Sequence, residues 1–226
     1  METYGQFCPL SKASELLAER WTLLVLRELL LGSERFAEIQ RGVPTMSPSL
    51  LSKRLRSLER AGVIVKEKRP GAGFSYRPTA AALELQPLIV GLSAWGHRWL
   101  RTDYRDEDLD PSFLMWDIRR NVKPEALGEQ KIVVSFSFPA ARSPQKTFWL
   151  VSAPGDADLC MTDPGYPVDV EVVADLRALT KVWLGDLTLS AARRTDAIRI
   201  EGRPASIRQF ERWLGQHPLA VVQRGR

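Results

Sequence analysis

Apolar residues recur at helical spacing through the first part of the chain. Those between residues 9 and 19 predict a first helix, with Pro9 well placed in its first turn. Residues 21–31 are apolar on nearly all sides, which is typical of a buried helix. A shorter amphipathic helix is predicted at about 34–41, and Gly42 ends it.

The next helix, predicted from Ser47 to about Arg60, has two different faces. Ser47 is a good N-cap, and Pro48 fits the first helical position. One face packs; it consists of Leu51, Leu55 and Leu58. The opposite face is small, polar and basic; it consists of Ser49, Ser52, Lys53, Arg56 and Arg60.

A β-hairpin and a long apolar helix are predicted after it. Residues 63–68 are rich in β-branched residues, residues 69–73 form a glycine-rich turn, and residues 74–77 return as a second strand. The helix at about 79–101 has large apolar residues along one side. Its Pro87 is expected to kink it or split it in two.

The pattern changes after an acidic linker at residues 103–111. We therefore predict an N-terminal domain at residues 1–102 and a C-terminal domain at residues 112–226, in an α+β chain. The C-terminal pattern predicts a helix at 112–121, strands at 131–138, 146–152, 157–162 and 168–173, a helix at 174–184, a strand through Ile198 and Ile200, and a last helix from Pro204.

The composition argues against a membrane-spanning, secreted or metal-binding protein. No apolar run reaches the roughly 18 residues of a membrane span, and the first residues lack a secretory signal, so we expect a cytoplasmic protein with no membrane partner. Two cysteines and two histidines are too few for a disulfide framework or a zinc site, so no metal or other cofactor is expected.

The net charge of +5 lies entirely in the first half. Residues 1–104 contain 15 Lys/Arg against 10 Asp/Glu, whereas residues 105–226 contain 17 of each. Residues 53–77 alone hold eight basic side chains against two acidic ones. A basic patch beside a neutral domain favours a polyanionic partner for the first domain, the alternative being a solvated charged face.

These elements together are typical of a winged helix-turn-helix that binds double-stranded DNA. A helix with one polar, basic face fits the major groove, and a basic hairpin tip lies beside the backbone. The predicted DNA-binding residues are Ser47, Ser49, Ser52, Lys53, Arg54, Arg56, Arg60, Lys66, Lys68 and Arg69.

Residues 5–101 resemble the HxlR-type winged-helix regulators, which are related to the MarR family. The resemblance rests on Cys8-Pro9, Trp21, Arg35-Phe36, Leu51, Arg54-Leu55, Leu58, Gly62, Tyr76 and Pro78-Thr79, and departs from the family pattern at Ala80-Ala81-Ala82. It implies a homodimeric regulator held together by the N-terminal segment and the helix after the hairpin. The predicted interface residues are Leu10, Leu88, Leu92, Trp95 and Trp99; for the two tryptophans, ordinary core packing is the alternative.

Cys8 is a candidate redox sensor. It matches a cysteine near the start of many such regulators, and helix N-terminal amides next to it would lower its pKa. The alternative is a small, buried, apolar residue without reactivity. Cys160 is predicted to lie in the core.

The segment from Asp175 to Leu214 is similar, more weakly, to sterol-carrier-protein-like domains. The similarity lies in the helix ending at Trp183, Gly185 and the strand ending at Gly202. It implies a small hydrophobic ligand, with a ligand-free stabilising domain as the alternative. The predicted pocket residues are Phe136, Phe138, Phe148, Trp149 and Trp183.

The predicted function is therefore a homodimeric, DNA-binding transcriptional regulator, with a hydrophobic ligand as a candidate modulator. An enzyme is not expected, because the chain has no Gly-x-Ser-x-Gly elbow, no phosphate-binding loop and no histidine placed for acid–base chemistry. The remaining alternative is a carrier of hydrophobic ligands with a vestigial helix-turn-helix.

Overall fold

The computed structural model describes residues 3–69, 71, 73–100, 104–122, 131–153 and 156–225. The chain divides into two compact units, residues 1–96 and 97–226.

The first unit is a winged helix-turn-helix, as the sequence predicts. Its elements are α1 (Pro9–Leu17), α2 (Thr22–Leu30), α3 (Phe36–Gly42), α4 (Pro48–Arg60), β1 (Ile64–Lys68), β2 (Phe74–Pro78) and α5 (Ala80–Trp99), the last of which ends in the second unit. Strands β1 and β2 form an antiparallel hairpin, and Arg35 adds an isolated bridge to Ser75. The base of the hairpin is closed by Thr79, whose hydroxyl donates to the carbonyls of Gly62 and Val63, each at 2.8 Å.

A single apolar cluster holds α2, α3 and α4 together. Its fully buried members include Leu26 on α2, Ile39 on α3, and Leu51, Leu55 and Leu58 on α4. Because α4 buries these three leucines, its opposite side is directed to solvent.

Helix α5 continues through Pro87 without a break, so the expectation that this proline splits the helix is wrong. Proline removes the N–H that would bond to the carbonyl of Leu83. Leu83 and Pro87 are both exposed, so the interrupted hydrogen bond lies on the solvent side of the helix and the rest of the helix continues.

The second unit is α+β. After a short 3-10 helix at Asp106–Asp108, it contains α6 (Pro111–Asn121), β3 (Val133–Ser137), β4 (Thr147–Ala153), β5 (Asp156–Cys160), β6 (Val170–Ala174), α7 (Leu176–Trp183), α8 (Leu189–Arg194), β7 (Ile198–Gly202), α9 (Pro204–Leu214) and a 3-10 turn at Pro218–Val221. The 3-10 helix lies inside the predicted linker, whose Asp103 is outside the described residues.

Among the described residues the five strands form one sheet in the order β5-β4-β3-β6-β7, antiparallel except for the parallel pair β3–β6. The apolar faces of α6, α7 and α9 pack with the even-numbered side chains of its central strands, such as Phe136, Phe148 and Val172. The sheet is therefore covered by helices on the face where these side chains lie.

Candidate nucleic-acid interface

Local sequence fixes where α4 begins. The Ser47 hydroxyl accepts a hydrogen bond from the Leu50 amide at 3.3 Å and lies 3.2 Å from the Ser49 hydroxyl. Pro48 occupies the first turn, as predicted. This N-cap satisfies an amide that the helix itself leaves without a partner, so the start of α4 is well defined.

The outward side of α4 presents polar and basic side chains. Ser49, Lys53, Arg56 and Arg60 are exposed, and Ser52 is half-buried. Within the described part of the chain, Lys53, Arg56 and Arg60 have no ion pair or hydrogen bond through their side chains. Their positive charges therefore face solvent without forming an ion pair, and Glu59 is the single acidic residue of α4.

Arg54 is oriented differently from the other basic residues of α4. Its side chain is 12% exposed, forms an ion pair with Glu19 and donates from Nε to the Arg20 carbonyl at 3.0 Å. These contacts hold α4 against the connection between α1 and α2, where Glu19 and Arg20 lie. Arg54 thus lies with the packed side of the helix and positions it, which does not fit the predicted role in DNA contact.

Partly buried polar contacts of two side chains, Gln40 and Arg27, set the turn between α3 and α4. Gln40 Nε2 donates to the carbonyls of Val43 at 3.1 Å and Met46 at 2.7 Å. Arg27 donates to the Glu28 carboxylate at 2.8 Å and to the Gly42 carbonyl at 2.9 Å. Side chains from α2 and α3 therefore bind the backbone of this connection.

A glycine is required at position 42 because of the neighbouring Glu28 side chain. Glu28 is completely buried, and a Cβ at position 42 would overlap its carboxylate. Sequence reasoning missed Glu28 and Gln40 as positioning residues. The only signal was the adjacent charged pair Arg27-Glu28 inside the mainly apolar segment 21–31, where a buried charge needs a partner.

The hairpin forms the wing, and three of its basic residues already have partners, one of them Arg77, which pairs with Glu67 across the two strands. Lys66 Nζ lies 4.0 Å from the centre of the Phe74 ring and 5.9 Å from that of Tyr76. Arg69 Nη2 pairs with Glu34 at 2.9 Å. Lys68 is exposed and, among the described residues, has no side-chain partner.

The tip of the wing is described in part. The Arg69 amide donates to the Gly73 carbonyl at 2.9 Å, which closes the predicted turn. Pro70 and Ala72 lie outside the described residues.

Burial raises the pKa of the Tyr76 phenol, which belongs to strand β2 of the wing. Glu59 raises it further, while Arg56 lowers it. The hydroxyl is therefore kept neutral next to the α4 charges at physiological pH.

Cys8 is the N-cap residue of α1 and is exposed. The Ser11 amide, the Leu10 amide and the Ser11 hydroxyl lower the pKa of its thiol, although desolvation opposes them. Cys8 is therefore not buried within this chain, and its role as a redox sensor stays a prediction. Cys160 is half-buried at the end of β5 rather than in its middle.

The residues predicted for dimerisation are on the surface of this chain. Leu10 is 74% exposed, and Leu88, Leu92, Trp95 and Trp99 are each more than half exposed. Core packing within the chain, which was the alternative for the two tryptophans, therefore does not account for them.

The five residues predicted to line a ligand pocket do not share one surface. Phe136, Phe138, Phe148 and Trp183 are buried in the core, where Phe138 stacks edge-on against Phe148 with ring centres 6.1 Å apart. Trp149 is half-buried and pairs with Ser135, so it points to the other face of the sheet. All five therefore cannot line a single cavity.

Residues 16–104 match the family model described as HxlR-like helix-turn-helix. The chain is 35% identical over 113 residues to the uncharacterised HTH-type transcriptional regulator YvaP of Bacillus subtilis, an alignment that covers 49% of this chain and 96% of YvaP. This chain belongs to the HxlR-like helix-turn-helix family.

Two further proteins are similar to this chain over a comparable number of residues. The uncharacterised HTH-type transcriptional regulator sll1512 of Synechocystis is 34% identical over 101 residues, which is 44% of this chain and 75% of that protein. The solved structure of the reduced form of the transcriptional regulator YodB from B. subtilis is 29% identical and covers 40% of this chain and 92% of that chain, with a TM-score of 0.36.

None of the helices in the described part of the chain is both long and apolar enough to cross a membrane. In that same part, no group of three or more His, Cys, Asp or Glu residues is arranged to hold a metal ion.

Proposed function

We propose that this HxlR-like protein is a transcriptional regulator that binds double-stranded DNA through α4 and the wing. The observation that supports this best is the division of α4 into a leucine face at most 1% exposed and an outward face where Lys53, Arg56 and Arg60 form no ion pair with any described residue. Such a helix fits the major groove, where side chains at its centre meet base edges.

The individual residues have different tasks in this proposal. Arg56 lies at the centre of the outward face, where its planar guanidinium can bind a guanine edge through two hydrogen bonds. Lys53, Arg60 and Lys68 bind phosphates, which set affinity and register without reading sequence. Lys66 and Arg69, held by ring and carboxylate partners, mainly shape the wing.

We further propose that the protein acts as a homodimer through α1 and α5. Among the described residues of α5 only Ala82 is buried, although the helix is predominantly apolar. A continuous exposed apolar surface of this kind marks a protein interface, and a second copy would remove it from water. Two copies also place two α4 helices about one turn of DNA, roughly 34 Å, apart.

The experiment that tests the DNA proposal is a gel shift with duplexes taken from the region upstream of the gene for this chain. A retarded complex that resists competitor DNA supports it. A chain that is folded and dimeric but retards neither these duplexes nor random DNA would favour the alternative of a vestigial helix-turn-helix.

We also propose that Cys8 is a redox-sensitive residue, because it is the exposed N-cap residue of α1 and the amides of Ser11 and Leu10 lower the pKa of its thiol. A lowered pKa increases the thiolate fraction, which is the reactive form. Oxidant titration of DNA binding, with Cys8→Ser as the control, tests this role.

We propose that the second unit modulates this activity by taking up a hydrophobic ligand, in keeping with its resemblance to sterol-carrier-like domains. The supporting observation is Trp213, which is fully buried while its Nε1 has no hydrogen-bond partner within the described part of the chain. A ligand oxygen would satisfy this donor. Native mass spectrometry of gently purified protein tests whether a small molecule is bound.

A further inference from the structure

Arginines are concentrated in one segment of the second unit, although that unit is nearly neutral as a whole. Residues 97–226 contain 19 basic and 18 acidic side chains, whereas residues 193–212 alone contain six arginines and three acidic residues. The six are Arg193, Arg194, Arg199, Arg203, Arg208 and Arg212, and all are exposed.

Helix α9 presents two of these arginines on its outward side. Its buried residues Phe210, Trp213 and Leu214 face the core, so Arg208 and Arg212, one turn apart, point away from it. Like charges at this spacing repel and destabilise a helix. Neither guanidinium is paired with a carboxylate in the described part of the chain.

The two arginines flank an anchored acidic residue. Glu211 pairs with Arg193 of α8 at 2.9 Å, and Arg212 Nε donates to the Arg208 carbonyl at 3.3 Å. Arg208, Glu211 and Arg212 line an open recess of about 440 Å³. We call this surface, made of Arg193, Arg208, Glu211 and Arg212, the arginine face.

Arg199 does not belong to the arginine face. It pairs with Val173 across β6 and β7, on the side of the sheet where Glu171 and Glu201 also stand. These carboxylates give Arg199 a negative environment of its own, which sets it apart from the arginines of α8 and α9.

We propose that the arginine face binds the phosphate backbone of DNA, as a second contact that adds to the proposed contact of the winged helix. Guanidinium groups bind phosphate oxygens in a planar, two-pronged geometry, and this stretch of the unit has arginine as its only basic residue type. A chain held on DNA by one module keeps the other at high effective concentration, so even a weak second contact adds affinity. The inference rests on the proposed function, because the first contact is the winged helix.

The test is a salt titration of binding to a random duplex of about 40 bp, long enough for several turns of DNA. The variants are Arg208→Gln with Arg212→Gln, and a charge-matched control, Arg105→Gln with Arg142→Gln. The control arginines are exposed, and each is already paired with a carboxylate, Glu107 and Asp106 respectively.

Loss of two phosphate contacts lowers the slope of log K against log salt by about two for each protomer in contact. The ratio of wild-type to variant affinity should then fall about tenfold between roughly 50 and 200 mM salt, because that range is a fourfold change. The control should keep the wild-type slope.

Equal slopes for wild type and the Arg208/Arg212 variant would overturn the proposal, and so would an equal change in the control, since a general charge effect would then suffice. A slope unchanged in this variant but reduced in Lys68→Ala would leave the winged-helix proposal standing. Failure of the wild-type chain to bind any duplex would instead refute the proposed function itself.

Discussion

Gly42→Ala is expected to destabilise the first unit far more than a glycine substitution in an ordinary turn. A Cβ at position 42 overlaps the Glu28 carboxylate, which is completely buried and held by Arg27 from the same helix. The Gly42 backbone is held as well, because its carbonyl accepts from Arg27. Neither side can move without breaking these contacts.

The magnitude follows from what must give way. Displacing the carboxylate disrupts an ion pair in which Glu28 is fully buried and Arg27 partly exposed, and the cost is at most the roughly 3–5 kcal/mol of a fully buried pair. A domain of this size is stable by about 5–15 kcal/mol. Gly42→Ala should therefore remove a large part of the stability of the first unit and shift the connection that positions α4.

The assay is urea unfolding, compared with Gly91→Ala as a control. Gly91 lies inside α5, and a Cβ added there would meet no neighbouring side chain or backbone atom within 4 Å. Replacing it should stabilise the helix by about 0.5–1 kcal/mol. The two substitutions therefore have opposite signs.

A second-site change tests the cause. In the double variant Gly42→Ala with Glu28→Ala the overlapping carboxylate is absent, so the combined loss should fall short of the sum of the single losses by about 0.5–3 kcal/mol. Additive losses, or a Gly42→Ala variant as stable as wild type, would show that the Glu28 contact does not set this turn.

Three further predictions concern the interface, the thiol and the wing. The double substitution Leu92→Glu with Trp95→Glu should convert a dimer of two 25.5 kDa chains into monomers, since both side chains are more than half exposed on α5. A wild-type chain that is monomeric by native mass spectrometry at micromolar concentration would contradict this. In a Cys160→Ser background, the alkylation rate of Cys8 should reach half its maximum at a lower pH than that of a free thiol, because a lowered pKa leaves more thiolate at lower pH. Ser11→Ala should move this midpoint upward. A midpoint equal to that of free cysteine would refute the role of the helix amides. Glu34→Gln should weaken the ion pair with Arg69 and speed amide hydrogen exchange in the wing. The free energy of unfolding should change by no more than about 1 kcal/mol, since the pair is partly exposed. Unchanged exchange would show that Glu34 does not order the wing.

Local sequence was sufficient for the start and the faces of α4. Ser47 and Pro48 set its beginning, and helical spacing separated its leucines from Ser49, Lys53 and Arg56. The same spacing places Arg54 beside the leucines, so its position near the packed side could have been inferred from the sequence, although we predicted a DNA contact. Alternation along a strand likewise separates Phe148 from Trp149, which puts them on opposite faces of the sheet.

Other features depend on contacts between residues far apart in sequence. The Gly42 requirement comes from Glu28, and the hold on Arg69 comes from Glu34, and no short pattern encodes either pair. Helix α8 spans only Leu189–Arg194, too short for its periodicity to stand out. The surface role of Trp95 and Trp99 depends on their exposure, which an apolar pattern alone does not distinguish from burial.

The most direct test of the central claim is the binding of wild type, Arg56→Ala and Lys68→Ala to a cognate duplex from the upstream region and to a scrambled duplex, each over a range of salt. Arg56→Ala should lose about 1–3 kcal/mol on the cognate duplex and much less on the scrambled one. Lys68→Ala should weaken both alike and lower the salt slope by about one. Equal losses of Arg56→Ala on the two duplexes, or a wild-type chain that binds neither, would contradict the account of α4 as the helix that reads DNA.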